Sequence, residues 1–213
     1  MKKLLVIPFL AAMLFGACKK NDNSVSTLVT YSVPTITLTG ASYYSINVGG
    51  SLPSISATAY DSFYKESYPV VIDQSTLDNT VPGLNIVYIK SQNKYGMTNT
   101  KGVYVAVTDI NPLINLAGNY QRVSNSAPVV VTKLANGLYM TNNVSGALSG
   151  GDAGYFVQTD DTTIILPTQT SAVFGTLYGT NAKVHMLVGD TAYQYVLNPN
   201  TTFAPSTRVF QKQ

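Results

Sequence analysis

The side chains that could do chemistry in this sequence are few. His185 is the only histidine and Glu66 the only glutamate, so a nucleophile–histidine mechanism would have to use His185. Strand alternation in the segment KVHMLVG instead predicts that His185 is an exposed strand residue and not a general base. Glycoside cleavage needs two acids about 5–10 Å apart, and no spacing identifies an aspartate partner for Glu66. We therefore expect no catalytic residues and predict that the protein is not an enzyme.

The sequence also lacks a pattern for binding a metal or a cofactor. One histidine and one cysteine are too few for a zinc site built from side chains. Calcium needs only oxygen ligands, but the acids are scattered and no Asp-x-Asp-x-Asp-Gly spacing occurs. Asp160 and Asp161 would point to opposite faces of a strand, so we expect them at the tip of a turn. The glycine-rich run 145–156 lacks the lysine of a phosphate-binding loop and is expected to form a hairpin or a flexible loop.

Cys18, the only cysteine, has a different chemistry because of what precedes it. Lysines at 2–3, an apolar run over 4–15 and small residues at 16–17 lead up to it. This pattern is typical of a secretory signal peptide, and the run is shorter than the roughly 20 residues of a transmembrane helix. Small residues followed at once by cysteine resemble the lipobox of bacterial lipoproteins, although Phe15 stands where leucine is usual. The resemblance implies a signal peptide over 1–17 and lipidation of Cys18.

Lipidation of Cys18 implies attachment to a membrane of the cell envelope through an N-terminal lipid. We expect an outer-membrane lipoprotein that is either periplasmic or surface-exposed. Lys and Arg total 13 against 10 acids, and two of the 13 lie in the signal peptide, so the mature chain is nearly neutral. Only two arginines occur, Arg122 and Arg208, and there is no basic stripe, so nucleic acid is not an expected partner.

The remaining sequence is typical of an all-β secreted protein, with only 11% charged residues and abundant Tyr, Thr and Val. Residues 18–27 are polar and lack periodicity, so we expect a flexible tether. From 28 to 110, apolar and polar residues alternate in short runs, separated by turn formers such as Gly49-Gly50 and Pro82-Gly83. This pattern predicts a sandwich of antiparallel strands.

Four segments of this first part carry a family resemblance: PTITLTG, INVGGSLPSISATAYDS, VPGLNIVYIKSQNKYG and VYVAVTD. They resemble the bacterial Ig-like domain first noted in a pesticidal crystal protein, which is common in surface lipoproteins. Two places depart from the family pattern, because Leu84 replaces an aromatic residue and residues 91–93 replace an acidic pair. The resemblance implies an Ig-like β-sandwich over 28–110 that serves as a spacer and carries no catalytic residues.

The second part, residues 111–213, is predicted to form a C-terminal antiparallel β-barrel or β-sandwich. Turn signals such as Asn136-Gly137 and Gly150-Gly151 separate its candidate strands. The runs NLAGNYQRVS, APVVVTKLANGLYMTNNVSG and AGYFVQTDDTTIILPTQ resemble the C-terminal β-domain that follows the Ig-like module in lipoproteins of the Bacteroidota. The candidate strands are 118–123, 128–134, 138–144, 154–159, 162–166, 173–178, 183–188, 193–197 and 207–211.

Tyrosine is the residue type whose abundance favours ligand binding, with 15 Tyr, 7 Phe and no Trp in the chain. A tyrosine face can stack on a sugar ring, although tyrosine is also a favoured strand residue that packs across a sheet. The segment 60–69, YDSFYKESYP, is the strongest candidate because it places four aromatic residues around one loop. The candidate ligand-binding residues are Tyr60, Phe63, Tyr64, Tyr68, Tyr139 and Tyr155.

Two functions fit these observations. The first is a non-enzymatic, lipid-anchored envelope protein, an outer-membrane accessory lipoprotein that binds glycan, with a polysaccharide or an outer-membrane transporter complex as its partner. The alternative is a structural or protein-interaction module, adhesin-like or part of an assembly, with no small ligand. Tyrosines lining a concave groove would favour the first, and a flat apolar patch of several hundred Å² would favour the second.

Overall fold

The computed structural model describes residues 31–187, 190–198 and 206–213, and their regular structure is entirely β. Sixteen strands and no helix are present in these residues, which confirms the predicted all-β class. The described residues accordingly contain no helix that is long and apolar enough to cross a membrane. The predicted signal peptide, the lipidation site Cys18 and the tether over 18–27 lie outside the described residues.

The first seven strands form two facing sheets, called here the sandwich. They are β1 (Thr35–Thr39), β2 (Tyr43–Ile46), β3 (Ser56–Asp61), β4 (Glu66–Tyr68), β5 (Val70–Asp73), β6 (Gly83–Gln92) and β7 (Thr98–Val107). One sheet has three strands in the order β1-β3-β4, and the other has four in the order β2-β7-β6-β5. The long pair β6–β7 forms the centre of the larger sheet.

The core of the sandwich follows from the period-two pattern of the sequence. Val87 and Ile89 on β6 and Val103 and Val105 on β7 are fully buried between the sheets. Ile36 on β1 packs against them from the opposite sheet. Successive strand residues point to opposite faces. The residue between Val87 and Ile89 and the residue between Val103 and Val105 therefore lie on the outer face of the larger sheet.

One pairing differs from the predicted antiparallel sandwich. β2 pairs with β7 in parallel, with Tyr43 opposite Tyr104 and Ile46 opposite Val107. Only residues 40–42 connect β2 to β1, which pairs antiparallel with β3 in the other sheet. So short a connection carries the chain across to the facing sheet without reversing its direction, and β2 therefore lies parallel to β7. Side-chain alternation is the same in both orientations, so the sequence pattern cannot distinguish them.

Nine further strands form one curled antiparallel sheet, called here the half-barrel. They are β8 (Gly118–Arg122), β9 (Pro128–Ala135), β10 (Leu138–Thr141), β11 (Gly154–Gln158), β12 (Ile164–Ile165), β13 (Gln169–Ser171), β14 (Gly175–Leu187), β15 (Asp190–Asn198) and β16 (Thr207–Lys212). Their order in the sheet is β12-β11-β10-β9-β8-β16-β15-β14-β13. The sheet curls until β12 reaches β14, where Val184 N donates to Thr162 O at 2.8 Å and Gly179 N donates to Leu166 O at 2.9 Å.

The predicted strands of the half-barrel match the observed ones, apart from their ends, except around β13 and β14. The sequence predicts separate strands at 173–178 and 183–188, whereas the structure has one continuous strand, β14. Asn181 adopts a positive φ of 51°, and the pairing with β15 shifts register between Thr180 and Lys183, so the interruption is a bulge. β13 has only three residues, which is too short to show a period in the sequence.

Aromatic rings fill the concave side of the half-barrel. The fully buried ones are Tyr120, Tyr139, Tyr193, Tyr195, Phe156 and Phe210. Tyr193 is at their centre, with its ring centroid 4.7 Å from that of Phe210, 5.0 Å from Tyr120 and 5.4 Å from Phe156. Because side chains occupy this space, the concave side is a packed core and not a ligand cavity.

A tight junction joins the half-barrel to the end of β7. Thr108 Oγ1 donates to Gln158 O at 2.8 Å, and Gln158 N donates to Gly137 O at 2.8 Å. Leu138, which is fully buried, packs there in a small apolar cluster shared by both parts. Residues 32–213 accordingly form one compact unit.

Candidate functional site

The structure separates the six predicted ligand-binding residues into three places. Tyr139 lies in the core of the half-barrel, Tyr155 lies beside a cleft between the half-barrel and the sandwich, and Tyr60, Phe63, Tyr64 and Tyr68 lie near one end of the sandwich.

Tyr139 is fully buried, so its predicted role as a ligand contact is wrong. Its ring lies 5.4 Å from that of Phe156, and its hydroxyl donates to Ile114 O at 3.4 Å and accepts a bond from Leu116 N at 3.2 Å. β10 is covered on both faces, because Leu138 packs toward the sandwich and Tyr139 toward the half-barrel core. The alternation of β10 residues alone does not reveal that both faces of the strand are shielded from solvent.

Tyr155 forms a stack of three tyrosines with Tyr43 and Tyr104. The ring centroids of Tyr104 and Tyr155 are 4.6 Å apart with planes at 29°, and those of Tyr43 and Tyr104 are 5.7 Å apart at 26°. Burial raises the pKa of Tyr155, and its hydrogen bonds to Tyr43 and Tyr104 raise it further. The Tyr155 hydroxyl is therefore neutral and remains a hydrogen-bonding group at physiological pH. The sandwich supplies Tyr43 and Tyr104, and the half-barrel supplies Tyr155.

A cleft of about 360 Å³ opens beside this stack and is called here the tyrosine cleft. Tyr104 and Tyr155 give it aromatic walls, and the exposed residues Thr168 and Thr170 contribute hydroxyls. Its other lining residues are Leu84, Ile86, Ala153, Pro167 and Gln169. Apolar walls with a few polar groups, at the boundary between two packed parts, are typical of a small-ligand site, and this volume lies near the lower end of the usual range.

Gln169 fixes the position of Tyr155. Its Oε1 accepts a hydrogen bond from Tyr155 N at 2.7 Å, and its Nε2 donates to Tyr155 O at 3.0 Å and to Pro167 O at 3.3 Å. The amide side chain thus pairs with the edge of β11 as a neighbouring strand would. Because both ends of the amide are used, the aromatic wall is held in place before any ligand arrives.

The loop residues lie at the end of the sandwich away from the half-barrel, where β7 begins. Buried Asp61 accepts hydrogen bonds there from Ser32 Oγ at 2.7 Å, Phe63 N at 3.0 Å and Tyr64 N at 3.3 Å. Asn93 Nδ2, in the β6–β7 turn, donates to Ser32 O at 2.9 Å. These bonds hold the β3–β4 turn, the β6–β7 turn and the segment preceding β1 together.

Phe63, Tyr64 and Tyr95 project from these two turns and are called here the aromatic tip. Phe63 is 56% exposed and Tyr95 is 50% exposed. The rings of Phe63 and Tyr64 meet edge to face at 89°, with centroids 4.9 Å apart, and Tyr64 lies 4.7 Å from Tyr95. Lys94 Nζ lies 5.7 Å from the centroid of Tyr64 and 5.5 Å from that of Tyr95. Phe63 and Tyr64 are perpendicular and Tyr64 and Tyr95 are tilted by 39°, so the tip offers no continuous flat face.

The two remaining predicted residues, Tyr68 and Tyr60, lie outside the aromatic tip. The Tyr68 hydroxyl donates to Glu66 Oε2 at 2.6 Å, while Lys94 Nζ donates to Glu66 Oε1 at 2.7 Å. The bond to Glu66 raises the pKa of Tyr68 to about 12, and the bond from Lys94 lowers the pKa of Glu66. Tyr60 is 47% exposed on β3, outside the aromatic tip. The Tyr68 hydroxyl is thus bonded within the protein, and Tyr60 is separate from the rings of the aromatic tip.

Acidification is expected to loosen the aromatic tip at Asp61. Burial opposes ionisation of Asp61, but the hydrogen bonds from Ser32, Tyr64 N, Asn93 and Phe63 N outweigh it and lower the pKa below its ordinary 3.8. The stability gained from the ionised carboxylate is therefore complete above about pH 4, the pKa of the unfolded chain, and is lost as pH falls through the lower folded-state pKa. NMR spectra of backbone amides against pH should show Phe63 and Tyr64 changing in that acid range.

An Asp61→Asn chain is the matched control for this titration, because it keeps the side-chain shape and removes the ionisable group. Its Phe63 and Tyr64 amides should lack the acid transition. Amides that titrate in the same way in both chains would contradict the assignment to Asp61.

The residues considered for other chemistry lie where the sequence predicts. His185 is an exposed residue of β14. Asp160 lies in the turn between β11 and β12, where its carboxylate accepts hydrogen bonds from Thr162 N and Thr163 N, both at 2.8 Å. Within the described part of the chain, no group of three His, Cys, Asp or Glu residues could hold a metal ion.

Sequence reasoning missed Tyr104, Gln169 and Tyr95 as candidate site residues. A signal for Tyr104 existed, because alternation with buried Val103 and Val105 places it on the outer face of its sheet. No such signal exists for Gln169, whose contact with Tyr155 depends on how the half-barrel curls. Tyr95 lies beside Tyr64 only because two turns distant in sequence meet at one end of the sandwich.

Comparison with known proteins adds little to this geometry. No family model and no curated protein matches the chain, so the resemblance of the first part to the bacterial Ig-like domain receives no support from them. Among solved structures, the chain is similar to the lipoprotein BT2262 from Bacteroides thetaiotaomicron, at 17% identity over 84% of this chain and 100% of that one. The TM-score is 0.36, and a likeness at that level carries no argument about function.

Proposed function

We propose that this chain is a lipid-anchored protein of the cell envelope, an outer-membrane lipoprotein, that binds a segment of glycan in the tyrosine cleft. The observation that carries the proposal is the concave site itself, with the aromatic walls of Tyr104 and Tyr155 beside the hydroxyls of Thr168 and Thr170. Aromatic faces stack on the apolar faces of sugar rings, and hydroxyls exchange hydrogen bonds with their edges. None of the lining residues is charged, which suits a neutral polysaccharide better than an ionic metabolite.

The lining also supports binding without turnover. A glycoside-cleaving site needs a pair of carboxyl groups flanking the scissile bond, and the tyrosine cleft is lined by no aspartate, glutamate or histidine. The half-barrel core is filled by aromatic side chains. The proposed role is therefore capture of a glycan.

The other parts of the chain take supporting roles in this proposal. Lipidation of Cys18 attaches the protein to the membrane, and the sandwich serves as the spacer that its resemblance to the bacterial Ig-like domain implies. β7 has ten residues and runs the length of the sandwich to the junction, a distance of about 33 Å at 3.3 Å per residue. The spacer would hold the tyrosine cleft clear of the lipid surface.

Replacing Tyr155 with alanine is expected to weaken glycan binding at least about tenfold, since burying an aromatic face against a ligand contributes about 1.5–3 kcal/mol. The measurement is retardation of the protein on a panel of immobilised polysaccharides and host glycans, followed by titration with the glycan that retards it. Tyr60→Ala is the matched control, because Tyr60 is half-exposed and lies away from the cleft.

Retardation that Tyr155→Ala abolishes and Tyr60→Ala leaves intact would support glycan capture at the cleft. Equal loss in both chains would place the binding surface elsewhere. If no glycan in the panel retards the unaltered protein, the protein-interaction module becomes the better account, and crosslinking in the intact envelope would then be used to find its partner.

A further inference from the structure

We propose that the aromatic tip rests in the headgroup region of the phospholipid bilayer that carries the lipid anchor. This inference rests on the proposed lipidation of Cys18. It gives the exposed aromatic residues of the sandwich a function separate from glycan binding, and it fixes which end of the folded part faces the membrane.

The chemistry of the tip fits a lipid interface. Phe63 and Tyr95 expose about half of their surface to water, although each is next to another ring. Exposed Lys65 and Lys94 flank these rings. Tyrosine and lysine are characteristic of the membrane–water boundary, where a ring can enter the acyl region while its hydroxyl or a neighbouring ammonium stays with the headgroups.

The geometry of the tip disfavours a sugar platform. The Phe63 and Tyr64 rings are perpendicular, at 89°, whereas the Tyr104 and Tyr155 rings in the tyrosine cleft are within 29° of parallel. Tyr95 is tilted by 39° from Tyr64 as well, so these rings can enter a soft layer but offer a pyranose ring no continuous flat face. The two aromatic surfaces of this protein therefore suit different occupants.

The chain enters the folded part at the aromatic tip. Ser32 is held at the tip by Asp61 and Asn93, and it lies 14 residues after Cys18. Fourteen residues span at most about 50 Å even when fully extended. The half-barrel leaves the sandwich at the opposite end, through Thr108, so the tip is the end from which the chain leads back to the anchor.

The absence of tryptophan from the sequence allows a direct test. Tyr95→Trp introduces a single indole at the tip, and Leu148→Trp introduces one at a 71% exposed position of the half-barrel as the matched control. Each full-length chain is incorporated into vesicles of phosphatidylethanolamine and phosphatidylglycerol that contain headgroup-nitroxide lipids. We expect emission from position 95 to shift to the blue and to be quenched several-fold more by the nitroxide than emission from position 148.

Equal responses from the two positions would overturn the proposal. A second variant guards against an effect of the indole itself: Phe63→Ser, added to the Tyr95→Trp chain, should reduce both the shift and the quenching. If Phe63→Ser instead weakened glycan retardation and left the vesicle signal unchanged, the tip would be a ligand surface and the membrane assignment would be wrong.

The anchor is tested separately in the same preparation. Chain that carries its native lipid floats with the vesicles, whereas failure to float would contradict lipidation at Cys18. In that case Cys18 is a free and unique thiol, and coupling it to a maleimide lipid attaches the chain so that the indole measurement still decides the role of the tip.

Discussion

Replacing Tyr193 with alanine is expected to destabilise the half-barrel by about 3–5 kcal/mol, the usual cost of removing a large buried aromatic side chain. Tyr193 is fully buried, and its ring contacts those of Phe210, Tyr120 and Phe156. Removing it leaves a cavity bordered by rings from several strands, which cannot all move inward to fill it. A thermal melt followed by circular dichroism should show the midpoint lowered by about 10 °C or more.

Two variants make this result specific to the core. Tyr193→Phe retains the ring and should keep most of the stability. Tyr95→Ala removes a tyrosine that is 50% exposed at the aromatic tip and should change the midpoint little. A small effect of Tyr193→Ala would show that the concave side of the half-barrel is loosely packed, and the argument that it cannot hold a ligand would then fail.

Gly137→Ala is expected to have the second largest effect, with a loss of about 2–4 kcal/mol from backbone strain and overpacking together. Gly137 has a φ of 67°, a backbone conformation that residues other than glycine rarely adopt. An added Cβ would lie 2.7 Å from Thr108 Cγ2 and 2.9 Å from Gln158 O, so the junction would have to open. Because Gln158 ends the strand that carries Tyr155, the proposed glycan binding in the tyrosine cleft should weaken as well.

Gly150→Ala separates these two causes. Gly150 has a φ of 69°, almost the same as Gly137, but nothing lies within 4 Å of the position that its Cβ would take. It should therefore show the conformational cost alone, about 1–2 kcal/mol. Chemical denaturation of both chains measures the difference, and equal losses would mean that the contacts at the junction contribute nothing.

The strands of this protein are predictable from sequence because their alternation is a local signal. Val103 and Val105 on β7 show the required period, and turn formers mark most strand ends. The parallel entry of β2 and the continuity of β14 through Asn181 are not predictable in this way, because orientation and bulges depend on which strand lies alongside.

The candidate site is less predictable than the fold, and tyrosine shows why. Tyr139 and Tyr155 occupy similar strand contexts in the sequence, yet one is fully buried and the other borders a cleft. The difference arises from the curl of the half-barrel and from where the sandwich covers its outer surface. The residue type shows that an aromatic ring is present. Which rings are available to a ligand depends on how the sandwich and the half-barrel pack together.

The parallel pairing of β2 with β7 has a mechanical consequence. If the chain is anchored by a lipid and holds a glycan in the cleft, as proposed, tension between the two would act on β2 toward the aromatic tip and on β7 toward the junction. In this parallel pair, the hydrogen bonds between Tyr43–Ile46 and Tyr104–Val107 are evenly spaced along the strands, so such tension would load them together. Under the proposed function, the strand orientation that alternation could not reveal would therefore bear on how the sandwich carries load along its length.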